Sequence, residues 1–402
     1  MLDIGDAQRI VLLQVRTLST VECSLRDALG RTLAAPVVCD VDDPPFDKAL
    51  MDGYAVRSVD VVQAPTTLRV VGQVGAGHLT TTPVGPGEAL QINTGAALPP
   101  RADAVVRIED TDLAGNQVRI KATTKAGKFV VPRGTYARAG KTVLPVGSVM
   151  TPVHLGVAAT AGASTVSVYR PPSVGILTTG DELVDIDRLP IGAQIRNSNR
   201  YLLDGLFRST GIEPRNLGTV GDDCETLRQR IAEGVCGDLL CITGGVSMGA
   251  FDLVPETLEG LGATVHFHKI AIKPGRPTLF AATGSGTLVF ALPGNPISAF
   301  IGFELLVRPA LAAMQGRPVP GPRYFAARVL GGFPAAGARR TYHPAIASVM
   351  DDGQWSATKL SWGGSGDSMG MARANAMIVR PPNAPAVADG EFAFVFLLDP
   401  LL

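Results

Sequence analysis

The stretch Asp238-Leu239-Leu240-Cys241-Ile242-Thr243-Gly244-Gly245-Val246-Ser247-Met248-Gly249, followed by Ala250-Phe251-Asp252, decides the fold. Its apolar run ends in a glycine pair, the pattern of a buried parallel strand that carries backbone N–H groups to its carboxyl end. Gly244, Gly245 and Gly249 remove side chains where a ligand approaches the backbone, and a helix start after them favours a negative group. Phosphate suits that chemistry; a tight strand-to-helix turn without a ligand accounts for the same residues.

Outward from this strand the chain alternates. Strands are expected at 174–178, 215–220, 264–270 and 288–292, and helices at 199–210, 224–233, 253–261 and 297–314. Such alternation predicts a three-layer α/β sandwich on a mostly parallel sheet. Further out, residues 66–140 alternate apolar and polar positions between glycine turns, which predicts a small β domain. The proline-rich segment 317–322 reads as a linker to a β-barrel or sandwich that ends the chain, with strands at 325–330, 345–349 and 392–398. Helical spacing recurs at 4–18 and 21–33, so two helices are expected to open the chain, and a short one is expected at 152–161.

The 402 residues exceed what one core usually holds, so several domains are expected. Lys plus Arg and Asp plus Glu are 36 each, so no overall field steers the chain to nucleic acid or an anionic membrane, and any anion site is local. The five cysteines lack metal-type spacing and read as reduced thiols. The first residues carry no secretory pattern and no uncharged apolar run of membrane-spanning length follows, so the cytoplasm is expected.

In a parallel sheet the loops at 179–182, 221–223, 244–252 and 293–298 meet on one rim. They offer glycine amides, hydroxyls and the carboxylates of Asp181, Glu182, Asp222, Asp223 and Asp252, a set suited to a phosphorylated ligand held with Mg²⁺; helix capping is the alternative for Asp222, Asp223 and Asp252. Lys269, Lys273 and Arg276 can neutralise an oxyanion or be solvated surface cations. His266 and His268 share a strand face without a third ligand, which favours ordinary packing. Asp52-Gly53 can be an ordinary turn, and Asn93-Thr94-Gly95 can close one. No nucleophile elbow, Walker A or Rossmann pattern is present.

Taken together, Pro45-Phe46-Asp47 with Met51-Asp52-Gly53-Tyr54-Ala55, Asn93-Thr94-Gly95-Ala96, Thr179-Gly180-Asp181-Glu182-Leu183, Gly244-Gly245-Val246-Ser247, Ile272-Lys273-Pro274-Gly275 and Pro293-Gly294-Asn295-Pro296 resemble the molybdopterin molybdenumtransferase family, which includes the carboxyl-terminal domain of gephyrin. The resemblance spans nearly the whole chain. It implies a homodimer of four-domain subunits: 1–20 with 171–317 as the α/β molybdopterin-binding domain, 21–45 with 141–170 as a connecting domain, 46–140 as the small β domain and 318–402 as the barrel. It implies Mg²⁺-dependent insertion of molybdate into adenylylated molybdopterin with loss of AMP, and contact with a molybdopterin adenylyltransferase and with molybdoenzyme chaperones.

By the same match Asp52, Thr94 and Asp252 are catalytic, Asp52 lying in a loop supplied by the partner subunit. Glu182 and Asp222 hold the metal. Gly244, Gly245, Ser247, Lys269, Lys273, Arg276, Pro293, Pro296, Ser298, Arg340 and Ser365 bind substrate.

Two departures stand out. Arg133-Gly134-Thr135-Tyr136 replaces the family's Arg-Gly-Glu-Asp, and Arg276 replaces a usual Lys. The first motivates a rival reading, a non-catalytic molybdopterin-binding or scaffold protein on the same fold; a Mg²⁺-dependent nucleotide hydrolase is a third.

Overall fold

The apolar run forms the strand Leu239–Thr243, buried at every residue, in the middle of a six-stranded sheet. The order across that sheet is Arg215–Val220, Val174–Thr179, Leu239–Thr243, Leu288–Leu292, Leu279–Thr283 and Ala263–Phe267. The first four are parallel, Leu279–Thr283 runs against them, and Ala263–Phe267 pairs antiparallel with Leu279–Thr283. Thr178 lies opposite Thr243 and Thr243 opposite Leu292, so the carboxyl ends finish flush on one edge.

Alternation along each strand feeds two apolar layers. Val174, Ile176, Leu239 and Cys241 pack with the helices Ile4–Gln14, Ser198–Ser209 and Pro296–Met314. Leu177, Leu240 and Ile242 pack on the other face with Cys224–Gly234 and Leu253–Gly260. This is the expected three-layer sandwich. Each fully buried Leu, Ile or Phe contributes about 1.5–3 kcal/mol of apolar burial.

Residues 1–221, 223–246, 253–317 and 322–398 of this computed structural model are described here. They fall into two units, Glu22–Val168 on one side and Met1–Val21 with Tyr169–Leu402 on the other. The second unit joins the sandwich to a closed five-stranded barrel of Phe325–Leu330, Arg340–Val349, Trp355–Lys359, Ala376–Arg380 and Phe392–Leu397. A short strand from the sandwich, Ile272–Lys273, extends the barrel by pairing in parallel with Arg340 and Thr341. Tyr342, Met377, Val379 and Phe396 of the barrel belong to the same apolar cluster as the sandwich helices.

The helix Pro296–Met314 is long and apolar enough to cross a membrane, but most of it is buried within the protein, which makes it a core helix. Its middle, Phe303–Val307, is a π-helix. Pro309 lacks the N–H that would bond Leu305 four residues back, and Gln8 Nε2 donates to the Leu305 carbonyl instead at 2.9 Å.

In the first unit, Ala104–Arg107, Gly53–Val56, Glu88–Ile92, Thr66–Val74, Gln117–Ile120 and Thr111–Ala114 form a second six-stranded sheet, as the alternation at 66–140 predicts. The helix expected over 21–33 is not formed. Thr20–Ser24 is a strand followed by a single 3₁₀ turn, Leu25–Asp27, because Leu25 N–H bonds Ser164 O at 3.0 Å and Gly30 takes a left-handed φ of 74°. The first helix ends at Gln14 rather than near residue 18, since Val15 is already extended.

Candidate functional site

The rim of the sandwich is built by three turns. Gly244 and Gly245 have φ of 92° and 61°, and a Cβ on Gly244 would lie 2.3 Å from the Thr179 carbonyl oxygen, so only glycine brings the two strand ends together here. Gly244 N–H bonds Leu292 O at 3.1 Å and Gly180 N–H bonds Val220 O at 3.0 Å, which locks adjacent strand ends. Between them opens a cavity of about 660 Å³, lined by Thr179, Gly180, Glu182, Ser198, Asn199, Gly244, Gly245, Pro293, Asn295 and Pro296 among others.

Two helix N-termini border that cavity, those of Ser198–Ser209 and Pro296–Met314. Asn197 caps the first: its Oδ1 accepts from Arg200 N–H at 3.1 Å, and its Nδ2 bonds Thr178 Oγ1 at 2.7 Å and Thr219 Oγ1 at 2.9 Å. The positive dipole ends of the two helices favour an anion in this space. The barrel completes the wall. Asn295 Nδ2 donates to Ser365 Oγ at 2.9 Å, Ile297 N–H donates to Ser365 O at 3.1 Å, and Gly366 and Ser368 line the cavity.

Glu182, Gly244, Gly245, Pro293 and Pro296 therefore lie on the cavity wall. Lys269, Lys273, Arg276, Ser298, Arg340 and Ser365 do not line it directly. Lys273 is exposed on the short strand beside Thr341, with Arg340 one position back opposite Ile272, so two cations share one strand pair. Burial pushes the Tyr342 hydroxyl up, and the Arg340 guanidinium partly opposes that rise. Arg276 is exposed immediately before Pro277, itself a lining residue. Ser298 is buried in the helix, with its carbonyl next to Gly275. Lys269 is half-buried two residues after the strand Ala263–Phe267. Asp222, Ser247 and Asp252 lie outside the described residues.

In the other unit, Asp52 Oδ1 accepts from Thr94 N–H at 2.6 Å and from Thr94 Oγ1 at 3.0 Å. The amide and then the hydroxyl of Thr94 hold the Asp52 carboxyl below its ordinary pKa. Nearby, Arg133 Nε bonds Asp42 Oδ2 at 2.7 Å and Arg133 N–H bonds Asp47 Oδ1 at 2.8 Å. Thr135 Oγ1 bonds Pro132 O at 2.5 Å, and the exposed Tyr136 ring lies 5.5 Å from Lys48 Nζ.

Among the described residues no three His, Cys, Asp or Glu converge as a metal cluster. Glu182 is the carboxylate on the cavity wall, and the Asp181 carboxylate sits against Gly221. Mg²⁺ needs only one or two protein carboxylates when phosphates complete its shell, so Glu182 fits such an ion. His266 stacks on Phe280 with centroids 5.4 Å apart, a packing role. All five cysteines are free.

Residue 2 to residue 162 match the family description "MoeA N-terminal region (domain I and II)", 175–313 match "Probable molybdopterin binding domain", and 326–398 match "MoeA C-terminal region (domain IV)". A molybdopterin molybdenumtransferase of Nostoc sp. is 33% identical over 380 residues, 92% of this chain and 87% of the relative. The chain belongs to the molybdopterin molybdenumtransferase family. A Bacillus subtilis molybdopterin molybdenumtransferase is likewise 33% identical over 384 residues, 93% of this chain and 89% of the relative. The crystal structure of a molybdopterin biosynthesis MoeA protein from Pyrococcus horikoshii superposes with a TM-score of 0.83 at 30% identity, covering 99% of both chains.

Two wall residues escaped the motif-by-motif reading as binding groups. Asn199 sits two positions after the Asn197 cap, and Thr179 opens the Thr179–Leu183 run. The clue to the first is the sequence Asn197-Ser198-Asn199: a helix start needs one capping side chain, and a second asparagine beside it has another use.

Proposed function

We propose that this protein inserts molybdate into adenylylated molybdopterin and releases AMP, as the family membership and the rim cavity together support. The observation that carries the reading is the cavity itself, where the Gly244-Gly245 backbone and two helix N-termini surround space large enough for a nucleotide-sized anion. The glycine pair and helix ends take the pyrophosphate, while Lys273 and Arg340, with Lys269 and Arg276, attract molybdate. The chain's residues thereby hold the dithiolene and the oxyanion together, and positioning removes much of the entropic barrier. Glu182 and Asp222 hold Mg²⁺, which when bound offsets phosphate charge and polarises the scissile phosphoanhydride.

In this proposal the protein works as a homodimer in the cytoplasm, with Asp52 and Thr94 reaching the substrate bound by a second copy. Asp252 is a further catalytic carboxylate, and Ser247, Ser298 and Ser365 complete the substrate contacts. The pterin arrives from an adenylyltransferase, and the product leaves to molybdoenzyme chaperones.

Complementation tests it. In a strain lacking the insertion step the chain restores molybdoenzyme activity, and Asp52→Asn abolishes that rescue while the protein still folds. Rescue undiminished by Asp52→Asn favours instead a binding protein without catalysis, the reading that Thr135 and Tyr136 suggest.

A further inference from the structure

Among the described residues that line the rim cavity, Arg196 is the one cation and Glu182 the one carboxylate, and both are exposed. They sit on neighbouring strands. Leu183 lies opposite Ile195 and Val184 opposite Arg196 in a short parallel pair, and Glu182 O accepts the Ile195 N–H at 2.8 Å. Yet among the described residues no carboxylate, Glu182 included, pairs with Arg196. Asp185, in the loop between the two strands, pairs instead with Arg200 at 3.4 Å.

The Arg196 side chain is anchored by its Nε, which donates to Ile186 O at 3.0 Å. That bond orients the guanidinium and leaves both Nη groups, which bond none of the described residues. Because the side chain is exposed, water serves these donors in the free protein, and a ligand oxygen can take the place of that water. Arg196 and the capping Asn197 lead directly into the helix Ser198–Ser209, whose N-terminus borders the same cavity, so a full positive charge adjoins the positive end of a helix dipole. One wall thus offers a carboxylate that fits a divalent cation and a planar fork that fits two oxygens of an oxyanion, which is what a phosphate with its counter-ion requires.

We propose that Arg196 is a substrate-binding residue of this cavity, its Nη groups donating to the phosphate oxygens of a nucleotide at the N-terminus of Ser198–Ser209. The inference rests on the reading that the cavity holds an adenylylated substrate.

Calorimetric titration of the purified full-length protein with AMP and with adenosine, in Mg²⁺ at fixed ionic strength, tests it. Arg196→Gln weakens AMP binding by about tenfold or more and leaves adenosine within about twofold, because only the phosphate loses a charge-assisted bond. Arg196→Lys, which keeps the charge and gives up the fork, falls between the two proteins. Arg200→Gln removes a charge from the same helix start that is already paired with Asp185, and leaves both affinities within about twofold. Equal AMP affinity in the wild type and Arg196→Gln overturns the inference and leaves the proposed function standing; molybdate affinity that falls in its place shows that the oxyanion held is molybdate. An equal loss of AMP and adenosine, or an equal loss in Arg200→Gln, also overturns it, since a fold change or long-range charge then explains the effect. Failure of the wild type to bind AMP overturns the inference together with the reading of the cavity.

Discussion

Ser365 of the barrel caps the helix that borders the cavity: its carbonyl takes the Ile297 N–H at 3.1 Å and its hydroxyl takes the Asn295 amide at 2.9 Å. Pro296 at the first helical position has no N–H to satisfy, so Ile297 carries the first orphan donor of that terminus. The Asn295 side chain makes no cap bond within its own helix and reaches to the barrel loop instead. Ser365→Ala keeps the carbonyl contact and deletes the hydroxyl. The expected cost is about 0.5–1.5 kcal/mol of stability, read by denaturant unfolding, with a rise in KM larger than any fall in kcat.

The same loop is pinned from below by His343. Its Nδ1 accepts from the Trp362 indole N–H at 3.2 Å and its Nε2–H faces the Leu360 carbonyl at 2.9 Å, which requires the neutral ring. Burial first, and then Lys359 and Lys273, push the imidazole below its ordinary pKa, against the opposing effect of the Leu360 carbonyl. A histidine depressed in the folded state binds fewer protons there than when unfolded. Its contribution is therefore complete above the ordinary value near 6.5 and is lost as pH falls through that value toward the folded one. His343→Gln flattens this acid-side loss, measured by unfolding free energy across pH 5–7.

Gln8 stands in for the hydrogen bond that Pro309 cannot make. Gln8→Leu leaves the Leu305 carbonyl without its donor and costs about 1–3 kcal/mol, seen as a lower denaturation midpoint with an unchanged slope. Substrate affinity stays within about twofold, since the helix start at Pro296 is separated from Leu305 by about 13 Å of helix axis.

Gly244→Ala forces a Cβ toward the Thr179 carbonyl oxygen and into a positive φ. Backbone strain of about 1–3 kcal/mol follows, and nucleotide affinity falls by about tenfold or more because the amide turn no longer closes. Titration calorimetry with AMP reads the second effect.

Thr94 keeps Asp52 ionised to lower pH than an ordinary carboxyl, chiefly through its backbone amide. Thr94→Val removes only the hydroxyl. The acid limb of the activity profile then moves to higher pH but stays below that of an ordinary carboxyl, since the backbone bond survives; no movement would remove Asp52 ionisation from the rate law.

The central sheet was legible because its two middle strands, Val174–Thr179 and Leu239–Thr243, are short, mostly apolar, buried at every position and run into glycine, the pattern of a strand covered on both faces. In the barrel Phe325–Leu330, the second half of Arg340–Val349 and Phe392–Leu397 were legible, whereas Trp355–Lys359 and Ala376–Arg380 were not. What the sequence hid depends on partners distant along the chain. The 21–33 spacing suits a helix until Ser164 takes the Leu25 amide, and Ile272–Lys273 is too short to declare itself a strand without Arg340 beside it. Pro309 leaves the Leu305 carbonyl without its helical donor, but the residue that supplies one, Gln8, lies 297 positions from Leu305. The glycines and Glu182 of the site were readable as motifs; Asn199 was not, because its place on the wall is set by its bonds to Thr243 and the Gly294 carbonyl, both distant along the chain.

The most direct measurement is AMP release by the purified protein given adenylylated molybdopterin and Mg²⁺, with and without molybdate. The account predicts that molybdate triggers one AMP per pterin and yields a cofactor that activates a molybdenum-free apoenzyme. AMP release that ignores molybdate, or no release and no active cofactor, would contradict it.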